Sequence, residues 1–193
     1  ARKSRGLGDV YKRQDNRLTI DDQNITVDSG TISVANANLL SATTTGTVTA
    51  SITTTEDVDT LKTLNETHAY TIVIAAGDAT SSTAAELTTI NGATSLAVDA
   101  SAITALASDN ISNINTLLTA GNDTAQFTSA SFGSLTGVTV SDTTLNGATL
   151  ASAVDQANSA TGDTSVVFTI TAADEIQGTE ANFTALLADE GNS

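Results

Sequence analysis

The sequence predicts a mixed α/β chain of repeated strand–helix units around a parallel sheet. Three observations predict it. Short stretches carry apolar residues in alternation, segments between them carry apolar residues three or four apart, and the pair recurs at a nearly steady spacing. Val48 and Tyr70 lie 22 residues apart, Tyr70 and Leu96 26, and Val138 and Val166 28.

Alternation marks strands at Val48-Ala50-Ile52, Tyr70-Ile72-Ile74, Leu96-Val98-Ala100, Val138-Val140 and Val166-Phe168-Ile170. An earlier strand falls at Ile25-Val27 and a weaker one around Phe127. The helical period places Val58, Leu61 and Leu64 on one face, then Leu87 with Ile90. It also aligns Ile111, Ile114, Leu117 and Leu118, and later Phe183, Leu186 and Leu187. Ile32 to Ala42 reads as a further helix.

End signals agree. Glu56 and Asp57 open one helix and Glu180 another, which suits the positive end of the helix dipole. Asn110 is a good N-cap, and Gly92, Gly121 and Gly191 stand where C-terminal caps belong. Residues 125–141 break the rhythm, with two strand-like pieces separated only by FGSLTG.

One such unit cannot bury both its strand face and its helix stripe. Stacked units of about 22–30 residues can, as leucine-rich-repeat-like coils of a solenoid with a parallel sheet and right-handed crossovers. A mostly-β solenoid is the alternative. On the opposite strand face, Thr47, Thr49, Ser51, Thr53, Thr169 and Thr171 alternate with the apolar set. A threonine row of this kind resembles an ice-binding face, but Val73 and Asp99 interrupt it, and threonine is also an ordinary strand residue.

Composition narrows the setting. The net charge is −15, and the chain has no Cys, Met, Trp or Pro. Zero Cys excludes a disulfide framework and thiolate zinc sites. So acidic a surface disfavours nucleic acid and anionic lipid and attracts cations. No segment is long and apolar enough to cross a membrane.

Residues 1–14 do not match the rest. They carry Arg2, Lys3, Arg5, Lys12 and Arg13, after which only Arg17 and Lys62 are basic. The run RGLGDVYKRQ, residues 5–14, resembles an in-frame translation of a transposase-type sequencing adapter. A basic arm is the competing reading. The adapter reading expects residues 1–14 to be a disordered artefact, with the true N-terminus and any secretion signal missing. Residues 15–193 then form one repeat domain, a fragment of a longer array.

Segments such as TGTVTASITTTEDVDTLKTLN and GATSLAVDASAITALASD resemble the Thr/Ala/Asp-rich repeat regions of very large surface or secreted proteins of marine bacteria and cyanobacteria. The resemblance spans most of residues 25–190. It implies an adhesive, motility-related or protective role at the cell surface or outside the cell, and no catalytic residue.

The chemistry-bearing residues are few. His68 is the sole histidine and reads as an exposed turn residue ahead of a strand. No serine sits in a G-x-S-x-G setting. The acid pairs Asp21-Asp22, Asp57/Asp59 and Asp174-Glu175 lack the aromatic platforms that sugar chemistry favours, so no enzyme is expected. Ca²⁺ is the one cofactor to consider, through Asp78, Asp99, Asp123, Asp142, Asp163 and Asp174, which recur after strands and in turns. Neither the EF-hand loop nor the G-G-x-G-x-D nonapeptide occurs, and Asp is equally a turn and cap residue.

The function expected is therefore an acidic structural or adhesive spacer. Its partners would be neighbouring repeats of the same chain and cell-surface or matrix components. A calcium-dependent binding module is the first alternative, and a phage tail-fibre or virion component the second.

Overall fold

Alternation along the strands becomes one-sided burial. Val48, Ala50 and Ile52 are buried while Thr49 faces solvent, and Tyr70, Ile72 and Ile74 are buried while Thr71 is exposed. This is the pleat acting on a period of two. Residues 22–162 and 166–189 are described by a computed structural model. The predicted tail 1–14, Gly191 and Asp163 lie outside the described residues.

The chain is mixed α/β with small parallel sheets. In order it forms β1 (Ile25–Thr26), α1 (Val34–Ser41), β2 (Val48–Ser51), α2 (Val58–Leu61) and β3 (Ala69–Thr71). A 3₁₀ turn at Ala76–Asp78 leads to α3 (Ala84–Gly92), β4 (Ala105–Asp109) and α4 (Ile111–Gly121). Then come β5 (Gly137–Val140), β6 (Thr144–Asn146), α5 (Gly147–Thr161), β7 (Val167–Ile170), β8 (Glu175–Gln177) and α6 (Glu180–Asp189).

Strand order follows chain order. One sheet runs β1-β2-β3, a second β4-β5-β7, and β6 pairs with β8, every pair parallel. The registers bring like residues together: Ile25 faces Val48, Ala50 faces Tyr70, Leu106 faces Val138, and Val138 faces Phe168. Helices pack on their neighbours in sequence, α2 on α3, α3 on α4, α4 on α5 and α5 on α6. The core is one continuous cluster of aliphatic side chains with Tyr70, Phe127 and Phe132.

Several expectations change. The strand expected at Leu96-Val98-Ala100 is reduced to isolated bridges, His68 to Thr94, Val73 to Asp99 and Val98 to Phe127. Side chains take the backbone amides there: Asp99 Oδ1 accepts from Ser101 N–H and Ser131 Oγ from Ala100 N–H. Leu96 faces solvent, its amide bonded to Thr94 Oγ1. The paired strand comes later, at β4. The irregular stretch 125–141 pairs twice with the preceding segment, Phe127 with Val98 and Val138 with Leu106.

The longest helix, α5, carries no leucine stripe and was not anticipated. Its buried face is Gly147, Leu150, Ala153 and Ala157. Gly92 and Gly121 are not left-handed caps: each is the last helical residue, followed by Ala93 and Asn122 in right-handed conformation. Gly121 has a packing role instead, because a Cβ there would stand 2.7 Å from the Phe132 ring. The left-handed cap falls at Gly162. The threonine row is broken as well, since Thr49 has Thr26 on one side and Ala69 on the other.

Candidate functional site

An α-helix starts with four amides that have no partner within the helix. Here the first need is met locally. Ser33, Asp57, Thr83, Asn110 and Asn146 each cap their own helix by accepting an N–H two or three residues on. Thr83 and Glu86 form a reciprocal capping box.

A second cap comes from the following strand–helix segment. Glu56 Oε1 accepts from Val34 N–H at 3.1 Å, 22 residues back. Asp78 Oδ2 accepts from Val58 N–H at 3.2 Å, and Asp109 Oδ2 from Ala85 N–H at 2.8 Å. Asp142 Oδ2 accepts from Ile111 N–H at 2.6 Å, 31 residues back. Four successive helices are thus closed by a carboxylate from the next segment. Such a charge at the positive end of a helix contributes about 0.3–1 kcal/mol. Glu56, expected to serve the helix it precedes, serves the one before.

Asparagines repeat the device where helices end. Asn38 donates to Thr63 C=O and accepts from Asn65 N–H. Asn91 donates to Gln126 Oε1, and Asn122 to the Gln156 backbone and side chain. Lys62 joins α2 to α3 by ion pairs to Asp59 at 2.6 Å and Glu86 at 2.7 Å. That ammonium holds the Glu86 carboxyl below its ordinary range.

His68 is not the exposed turn residue expected. It is 4% exposed, and its ring stands edge-on to Tyr70 with centroids 5.4 Å apart. Nδ1 accepts from Val48 N–H at 3.2 Å, and Nε2 lies 2.9 Å from Ser41 Oγ. A backbone amide on Nδ1 requires the proton on Nε2, so the imidazole donates to Ser41. A histidine acting as base on serine needs the reverse tautomer. In the next segment Thr94 Oγ1 fills the same place, accepting from Tyr70 N–H at 3.1 Å. His68 and Thr94 therefore terminate backbone amides of the segments behind them. Burial pushes the Tyr70 phenol up, with Glu66 adding to the shift.

Of the six acids considered for Ca²⁺, the five among the described residues are dispersed. Asp78 and Asp142 are the helix caps just described. Asp99 closes a turn on Ser101, and Asp123 one on Ala125, with Gln126 Nε2 at 3.1 Å. The Ala125 amide first, then Gln126, holds the Asp123 carboxyl low. Asp174 is exposed, its amide bonded to Thr143 C=O. Among the described residues no group of three or more His, Cys, Asp or Glu is placed to hold a metal ion. A cleft of about 100 Å³ at Val58, Asp59, Asp78, Ser81, Ser82 and Glu86 comes nearest, but Lys62 and the Val58 and Thr83 amides engage its carboxylates.

A larger groove of about 400 Å³ lies between α5, β7, β8 and α6 and is lined by apolar side chains such as Val154, Phe168, Ile176 and Leu186. Among the described residues no helix is long and apolar enough to cross a membrane. Compared with family models, curated proteins and solved structures, the chain matches none.

Proposed function

We propose that residues 15–193 are a segment of a strand–helix solenoid that serves as an acidic structural or adhesive spacer of an extracellular or cell-surface protein. The observation that carries this reading is the capping of each of four helices by a carboxylate of the following segment. A helix so built is complete only when another segment is stacked on it. That is the economy of an array, in which each unit contacts its neighbours alone. The chemistry-bearing side chains support the same reading. His68 donates to Ser41 and accepts from Val48, and Glu56, Asp78, Asp109 and Asp142 accept from helix amides.

In this role the stack holds other parts of its array apart and displays them. The net charge of −15 keeps the stack soluble and turns away nucleic acid and anionic lipid. The partners that fit are neighbouring repeats of the same chain and surface or matrix components.

A thermal melt followed by circular dichroism tests the reading, first in excess EDTA and then in millimolar Ca²⁺. A cooperative melt unchanged by Ca²⁺ is expected, because the aliphatic core and the caps hold the stack. A rise of many degrees with Ca²⁺, not reproduced by Mg²⁺ or matched salt, would replace the passive spacer with a calcium-dependent module.

A further inference from the structure

We propose that the face formed by β7, β8 and α6 docks head to tail onto the β1 face of a second copy of this chain. The inference rests on the stacked reading above. Among the described residues β7 is bonded to β5 alone and β8 to β6 alone, and no other strand pairs with the second edge of either. Val138 and Leu145 are buried beneath Phe168 and Ile176, their register partners. Among the described residues the outermost layer has no such cover: Ile170 and Ile176 are each 37% exposed and Leu187 67%. An apolar layer with open strand edges is a pairing surface.

What fits it is set by the pattern inside the molecule. The incoming surface would bring a parallel strand and, as at α1 to α4 though not at α5, a carboxylate for the start of the helix. At α6 the side chain of Asn182 meets Thr179, while the Glu180 and Ala181 amides have no acceptor among the described residues. The opposite face of this chain supplies both parts. Among the described residues β1 is bonded to β2 alone and runs parallel to it. Asp28 is exposed, without a hydrogen-bond partner among the described residues, and stands five residues before the N-cap Ser33. Asp78 stands at the same offset before Thr83 and caps the preceding helix. The two faces differ and share one polarity, so their contact is heterologous and open-ended.

Sedimentation of the full chain over a wide concentration range tests this, in salt high enough to screen the −15 charge. The mean mass is expected to climb above the 19.5 kDa monomer without levelling at a dimer. Ile176→Lys blocks one face and Asp28→Lys the other, both at exposed positions whose circular dichroism should stay unchanged. Each variant alone is expected to remain monomeric, whereas their mixture forms one-to-one dimers and nothing larger. A full chain that stays monomeric overturns the proposal, and so does a mixture that fails to pair. Association by Asp28→Lys alone also overturns it, since the apolar face would then pair with itself. A monomer that still melts cooperatively and without Ca²⁺ leaves the stacked spacer standing, which separates the two failures.

Discussion

At the scale of single residues, His68 is the most informative position. Its Nδ1 terminates the Val48 amide inside the core. His68→Leu leaves that amide without a partner and is expected to cost about 1–3 kcal/mol in urea unfolding. His68→Asn places an acceptor near the Nδ1 position and should recover a large part of the loss. Equal losses in both variants would mean that ring packing on Tyr70, not the hydrogen bond, is what matters. Glycines offer a second contrast. Gly121→Ala drives a Cβ into Phe132 and should destabilise by about 1–3 kcal/mol. Gly92→Ala meets nothing within 4 Å at a helix end and should be neutral or stabilising by up to about 1 kcal/mol. The composition shows neither difference, because both residues read simply as helix-ending glycine.

At the scale of elements, the distinguishing device is the cap supplied across segments. Asp142→Ala removes the acceptor from the Ile111 amide and should lower stability by about 1 kcal/mol. Hydrogen exchange at that amide should rise while the middle of α4 stays protected. Uniform exchange throughout α4 would show that the carboxylate is not what holds the helix start. Five of the six helices among the described residues were legible because their apolar residues recur at the helical period. α5 was not, because its stripe is written largely in alanine, which carries little hydropathic contrast. The strand expected at Leu96-Val98-Ala100 fails for the converse reason. Its alternation is genuine, and Val98 and Asp99 donate to the Gln126 and Ile72 carbonyls, but the ladder ends where the Ala100 amide turns to Ser131 Oγ and the Ser101 amide to Asp99 Oδ1.

At the scale of the molecule, local acids compete with net charge. The carboxyls of Asp57, Asp123 and Glu86 are held below their ordinary range, Asp57 chiefly by Thr60 and Glu86 chiefly by Lys62. Their folded values lie below the unfolded ones, so their contribution is full above the ordinary carboxylate range. It is lost as pH falls through the folded values. The Lys62 ammonium is shifted upward by Asp59 and then Glu86. Its contribution is full below the ordinary lysine value and is lost as pH rises through the folded one. Protonating acids also relieves the repulsion of a chain at −15, which works in the opposite direction. A melting temperature flat near neutrality and falling below about pH 4 is expected if the local caps win. Glu86→Gln should lower the plateau and soften the acid fall. A melting temperature that climbs steadily into acid would instead give the decision to net repulsion.

By itself the sequence determined the α/β class, the strand–helix alternation, most helices and the N-cap at Asn110. Each of these depends on residues within one turn or one pleat of one another. Tertiary structure alone decided what the acids and His68 do. The partner of Glu56 lies 22 residues back and that of Asp142 31 back. No local pattern separates a carboxylate that caps a neighbouring helix from one that closes a turn or meets a cation. The residue type states the capacity to accept a hydrogen bond, and the stacking of one segment on the next determines which amide is within reach.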